Sequence, residues 1–120
     1  MNPFLYLLLA PLGGIWPQSP SPCQVHLDAR REGALLTLVG RCHNTSDQTL
    51  EVRYEMVTDR RGAAGTSHNA QSGYLTIGAR ESGVLSQSTL NVGEADQYRV
   101  HLRLFGADNR LLAQDSLVRL

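Results

Sequence analysis

Arg99, His101 and Arg103 stand at every second position of the run from Tyr98 to Phe105, and Tyr98, Val100, Leu102 and Leu104 alternate with them. That alternation is the pattern of a half-buried β-strand. A helix would spread the apolar side chains around its circumference, whereas a strand gathers them on one face and stacks the basic groups on the other. The chemistry such a row offers is recognition. Guanidinium forks donate paired hydrogen bonds to carboxylates, amides and carbonyls, and they stack on flat groups. All 11 basic side chains of the 120-residue chain are arginine, and 11 acidic ones balance them. A second alternating run, Leu50 to Val57, sends Glu51, Arg53 and Glu55 outward. If the two strands are neighbours, Arg53, Arg99, His101 and Arg103 share one face and form a candidate partner-binding surface. The same geometry also suits plain cross-strand ion pairing, worth under about 1 kcal/mol per pair.

Other chemistry finds little support. His26, His43, His68 and His101 fall on four different elements, without the His-x-His, Cys-x-x-Cys or His-Glu-x-x-His spacings that hold a metal, so no metal or other cofactor is expected. There is no Gly-x-Ser-x-Gly elbow and no phosphate-cradling glycine loop, which argues against an enzyme. A neutral chain whose basic positions are not interleaved with aromatics is not a nucleic-acid binder.

The elements that must position these residues follow in chain order. Residues 1–22 carry no charged side chain, hold apolar runs at Phe4–Ala10 and Leu12–Trp16, and end in a Pro/Ser-rich stretch. They read as a secretory leader and its exit segment, too short and too broken by Pro and Gly to remain as a membrane span. From Cys23 alternation begins, and residues 23–42 form a hairpin. A turn at Glu32-Gly33 would set Ala29 against Leu36, Leu27 against Leu38 and Cys23 against Cys42. Directly opposed residues lie within disulfide range, so a Cys23–Cys42 bridge is expected; in the loop-entropy account it contributes roughly 3 kcal/mol. Buried free thiols are the alternative. His43–Gln48 is a loop whose Asn44-Thr-Ser46 matches a glycosylation acceptor only at the level of chance. After Leu50–Val57, the segment Asp59–Gly65 is expected as a loop. A weak strand at Thr66–Ser72 follows, continuing to Ile77, and further strands cover Val84–Val92, Tyr98–Phe105 and Leu111–Leu120. About seven short antiparallel strands over residues 23–120 describe a monomeric immunoglobulin-like β-sandwich, in which the third and sixth strands are neighbours. Tyr98 stands where such domains often place a corner tyrosine, and Val100 takes the place of their usual second cysteine.

The run Leu75-Thr-Ile-Gly-Ala79, then Leu85, Leu90-Asn91-Val92, a turn containing Asp96 and the alternating strand to Phe105 resembles the periplasmic curli-assembly inhibitors of the CsgC/CsgH family. The Arg61-Gly62-Ala-Ala-Gly65 segment after an alternating strand adds to the likeness, which covers most of Leu50 to Asp115. The resemblance implies a small immunoglobulin-like periplasmic chaperone, without ATP or catalysis, that keeps an amyloid-forming curli subunit from polymerising before export. The CsgC branch carries a Cys-x-Cys pair in the region corresponding to Thr49–Val52, and this chain has none, so a redox role is in doubt and the CsgH branch is nearer. The rival reading is an adhesive or structural immunoglobulin-like module of a surface fibre.

Overall fold

The computed structural model describes residues 21–120. The chain forms seven strands: β1 (Cys23–Glu32), β2 (Leu35–Asn44), β3 (Leu50–Gly62), β4 (Gly65–Ile77), β5 (Ser82–Asn91), β6 (Gln97–Gly106) and β7 (Leu111–Arg119). All neighbouring pairs are antiparallel, in a three-stranded sheet β1-β2-β5 and a four-stranded sheet β4-β3-β6-β7. This is the expected all-β sandwich, with β3 and β6 side by side. Among the described residues no helix is long and apolar enough to cross a membrane. The secretory leader expected over residues 1–22 falls, apart from Ser21 and Pro22, outside the described residues.

The core lies between the sheets and is built from alternate residues of the central strands. Leu36 and Leu38 of β2 face Val52 and Met56 of β3 and Val100, Leu102 and Leu104 of β6, all buried. Each such side chain removed from water stabilises the fold by roughly 1.5–3 kcal/mol, an upper figure because unfolded chains already bury some apolar surface. Tyr98 packs partly buried against this core at the start of β6, and among the described residues its hydroxyl makes no hydrogen bond that would tie a corner. One side of the sandwich is closed where β1 meets β7. There the Leu27 backbone N–H donates to Asp115 Oδ2 at 2.8 Å, and Ser21 Oγ donates to the Leu112 carbonyl at 2.6 Å.

Two sequence expectations need correction. The β1–β2 turn sits at Gly33-Ala34, not Glu32-Gly33, because Gly33 takes φ 59° at the first turn position, as a type II′ hairpin requires. The shift moves pairing by two residues, so the inward faces are unchanged but Cys23 opposes Asn44 and Val25 opposes Cys42. Cys23 and Cys42 are therefore diagonal neighbours, a placement with Cα atoms about 7–8 Å apart and beyond ordinary disulfide reach. Both are free, buried thiols. Second, Asp59–Gly65 is not a loop: β3 runs on to Gly62 and turns through Ala63-Ala64 into β4, giving two paired thirteen-residue strands.

Asn44 is fully buried. Its Nδ2 donates to the carbonyls of Gln48, Ile77 and Gly78 at 2.7, 3.2 and 3.0 Å, and its Oδ1 accepts from Ser46 N and Oγ. The residue of the glycosylation-like triplet is thus a buried fastener between the β2–β3 loop and the end of β4.

Candidate partner-binding face

On β3 and β6 the odd-numbered residues point away from the core, and the register sets them in rows across the four-stranded sheet. The first row runs Tyr74, Arg53, Phe105 and Leu111; the next, Ser72, Glu55, Arg103 and Gln114; then Ala70, Val57, His101 and Ser116; then His68, Asp59, Arg99 and Val118. All four candidate residues, Arg53, Arg99, His101 and Arg103, therefore lie on one face carried by two adjacent central strands. A pleated sheet fixes their spacing, since alternate residues on a strand repeat at about 6.6–6.8 Å and strands lie about 4.8 Å apart.

The four are not equivalent. Arg53 is held: its guanidinium carbon stands 4.4 Å from the centroid of the Phe105 ring, Nη1 donates to Glu55 Oε2 at 2.8 Å and Nη2 to Asn109 Oδ1 at 2.7 Å. Its side chain is only 23% exposed. The stack and the two hydrogen bonds orient the fork and use much of its donor capacity. His101 places Nε2 3.0 Å from Gln114 Oε1, to which it donates. Arg99 and Arg103 are exposed, and among the described residues neither makes a salt bridge or a side-chain hydrogen bond. Arg103 lies opposite Glu55, but that carboxylate is taken by Arg53; Arg99 lies opposite Asp59, which pairs with His68 Nδ1. The cross-strand ion pairing that would have left this face merely solvated is thus diverted, leaving two forked donors open to a partner.

The face contains residues the sequence reading passed over. Phe105 is the next odd position after Arg103, so the alternation that revealed the basic row also carries an aromatic onto it. Tyr74, 84% exposed, flanks Arg53 from β4. Asn109, at φ 67° in the β6–β7 turn, supplies an acceptor that no periodicity marks.

At one end of the sheet the two motifs that carry the family resemblance meet. Asp96, in the turn between β5 and β6, accepts from Gly93 N at 2.8 Å and from Arg60 Nη1 at 3.0 Å, and it lies directly against Gly62, where no Cβ would fit. The Gly93 N–H, and after it the Arg60 guanidinium, hold the Asp96 carboxyl below the ordinary aspartate range. Among the described residues no group of three or more His, Cys, Asp or Glu is arranged to hold a metal.

No protein-family model matches the chain, and no curated protein matches it. Solved structures do. The curli protein CsgC of E. coli is similar with a TM-score of 0.65 and 18% identity, covering 78% of this chain and 96% of that one. The solution structure of R. palustris CsgH is similar with a TM-score of 0.62 and 26% identity, covering 80% of this chain and 91% of that one. A β-glucuronidase from Bacteroides uniformis matches with a TM-score of 0.60, but at 13% identity and over only 14% of its length, a likeness of fold alone.

Proposed function

We propose, from the premise that this is a CsgC/CsgH-like chain, that it is an exported periplasmic chaperone which transiently holds an amyloid-forming curli subunit and delays its polymerisation. It acts without catalysis or cofactor. The observation that carries the reading is the likeness to CsgH, in sequence as well as fold, over four-fifths of the chain. The binding surface proposed is the outer face of the four-stranded sheet. Arg99 and Arg103 supply open forks for backbone carbonyls, side-chain amides or carboxylates, His101 lies between them, and Arg53 is held beside Phe105 and Tyr74. Amyloid grows by adding strands to exposed edges, so a folded domain that briefly occupies an extended segment suppresses nucleation without remaining bound. Contact between the first and last strands closes this sandwich on one side, which sets the chain apart from a fibre module that awaits a donated strand.

The test is amyloid formation by a curli subunit, followed by dye fluorescence with the protein at low molar ratio. The expected result is a lengthened lag that shortens as salt rises, since the screening length falls from about 10 Å at 0.1 M to about 3 Å at 1 M. Replacing Arg99 and Arg103 by Glu inverts the open charge while leaving the core residues between them in place. It should alter stability by no more than about 0.5 kcal/mol per site and remove most of the delay. No delay by the wild-type protein overturns the function. A double variant that melts like wild type and delays equally well removes the face from it.

A further inference from the structure

The sandwich has four strand edges, and three are guarded. β1 carries Asp28, Arg30, Arg31 and Glu32, and its Leu27 N–H is capped by Asp115 of β7 across the closed seam. β7 lies on the other side of that seam, carries Asp115 and Arg119, and pairs with a register shift at Leu104/Phe105. β5 is interrupted by a bulge, its pairing with β2 shifting between Gly40 and Arg41. Charges, bulges and cover are the usual means by which proteins keep a sheet edge from pairing with another chain. β4 has neither charges of this kind nor a bulge, and over Thr66–Ser72 its cover among the described residues is a single side-chain bond, Gln71 Oε1 accepting from Ser86 Oγ of β5. Its thirteen residues, Gly-Thr-Ser-His-Asn-Ala-Gln-Ser-Gly-Tyr-Leu-Thr-Ile, include no Pro, Lys, Arg, Asp or Glu. Its register with β3 runs unshifted from Gly62 opposite Gly65 to Leu50 opposite Ile77, and Gly65 to Ala70 are all exposed.

The two-residue turn fixes which backbone groups are free. With Gly62 and Gly65 as the hydrogen-bonded pair closing the hairpin, odd-numbered residues of β4 bond to β3. Thr66, His68, Ala70 and Ser72 then direct N–H and C=O to the open side. The side chains along this edge are hydroxyls, amides and small groups, with one imidazole: Ser67, Asn69 and Gln71 lie on one side of the strand, Thr66, His68 and Ser72 on the other, and His68 Nδ1 is taken by Asp59 of β3.

We infer that β4 accepts an extended, uncharged, amide- and hydroxyl-rich segment of the partner polypeptide as a fifth strand of the four-stranded sheet, over Thr66–Ser72. This rests on the chaperone reading and names the chemistry of the segment held. Charge matching selects the occupant: a charged strand added here would find no Lys, Arg, Asp or Glu of opposite sign on β4, whereas Asn and Gln side chains stack into hydrogen-bonded ladders with Asn69, Gln71 being engaged by Ser86. Backbone pairing supplies affinity and the neutral row supplies selectivity.

The probe is a short synthetic peptide of Asn, Gln, Ser and Gly, read by residue-resolved amide hydrogen exchange of the full chain. Protection is expected at Thr66, His68, Ala70 and Ser72, and not at the odd-numbered amides already paired with β3. Ala70→Pro removes one edge-facing N–H and leaves the β3 ladder intact, so it should weaken peptide binding about tenfold with little change in melting. If that variant does not fold, Ala70→Lys keeps the N–H but places a charge on the neutral edge, and it should weaken binding likewise. Peptide saturation without protection at β4 overturns the inference. So do equal binding of an Asp- or Lys-rich peptide and β4 amides already protected in the protein alone, which would mean that the chain or a second copy covers the edge. The amyloid assay separates this from the function: delay without β4 protection removes the edge and keeps the chaperone, whereas β4 protection without delay removes the chaperone.

Discussion

Cys23 and Cys42 lie in the core at 1% and 3% exposure, and their surroundings make them poor reagents. Burial, and then the neighbouring Cys42, push the Cys23 thiol from 9.0 up to about 11; burial also raises Cys42. At pH 8 a thiol of that kind is ionised to about one part in a thousand, against about a tenth for a cysteine at the ordinary 9.0, and only the thiolate reacts. Folded protein treated with iodoacetamide at pH 8 without reductant should gain no adduct on the timescale that labels a free thiol. The same protein unfolded in denaturant should gain two, and mass spectrometry reads both. Fewer than two in denaturant would mean that the thiols are bridged. The sign of the shift adds a second readout: a thiol held neutral by folding contributes stability that is complete below the ordinary value of 9.0. That contribution is lost as pH rises toward 11, so the melting temperature should fall across this window, less so with Cys23→Ala. At this scale the sequence showed that both cysteines face inward, because alternation fixes a face. It did not show their separation, because a two-residue register shift preserves every face. Arg53 is a similar case: its outward direction followed from periodicity, but its engagement with Phe105, Glu55 and Asn109 depends on strand pairing.

Among the elements, the β3–β4 hairpin departs most from a reading by composition. Arg-Arg-Gly-Ala-Ala-Gly looks like a loop because small residues lack strand propensity, yet pairing with β4 on one side and β6 on the other carries β3 through it. What fastens this end is the Asp96 carboxylate, bonded to Gly93 N and Arg60 and seated on Gly62. Two motifs more than thirty residues apart, each weak alone, thus form one joint. Because folding depresses the Asp96 pKa, its contribution is complete above the ordinary aspartate value of 3.8 and is lost as pH falls through the lower folded value. Asp96→Asn should lower the melting temperature at pH 7, and the gap from wild type should close as the pH is taken below 3.8. A gap that is constant with pH would assign Asp96 a role in shape alone. Gly62→Ala, whose methyl would collide with the carboxylate, should destabilise at every pH in this range.

For the molecule as a whole, strand count and the inward-facing residues were legible because a period of two needs only the local chain, and the adjacency of β3 and β6 followed from the immunoglobulin-like pattern; the division of the strands into sheets of three and four did not. How closely the two sheets approach was not legible either, because it depends on which residues meet across the core. Gly40, in the middle of β2, is where they meet: a Cβ built there would stand 3.0 Å from Leu102 Cδ2, and Leu102 is fully buried. Gly40 has no unusual φ, so its smallness serves packing between sheets; a glycine within a strand otherwise weakens it. Leu102→Ala should cost about 2–5 kcal/mol, the spread reflecting how far the cavity collapses. Gly40→Ala alone forces a methyl against the leucine tip and should destabilise modestly. In the Leu102→Ala background the same methyl enters vacated space and replaces a flexible residue in a strand, so there it should stabilise. Urea denaturation of the wild type, both single variants and the double variant measures the coupling, expected at about 0.5–3 kcal/mol in favour of the double. Strict additivity would mean that the sheets are not in contact at this point and that the glycine is incidental to their spacing.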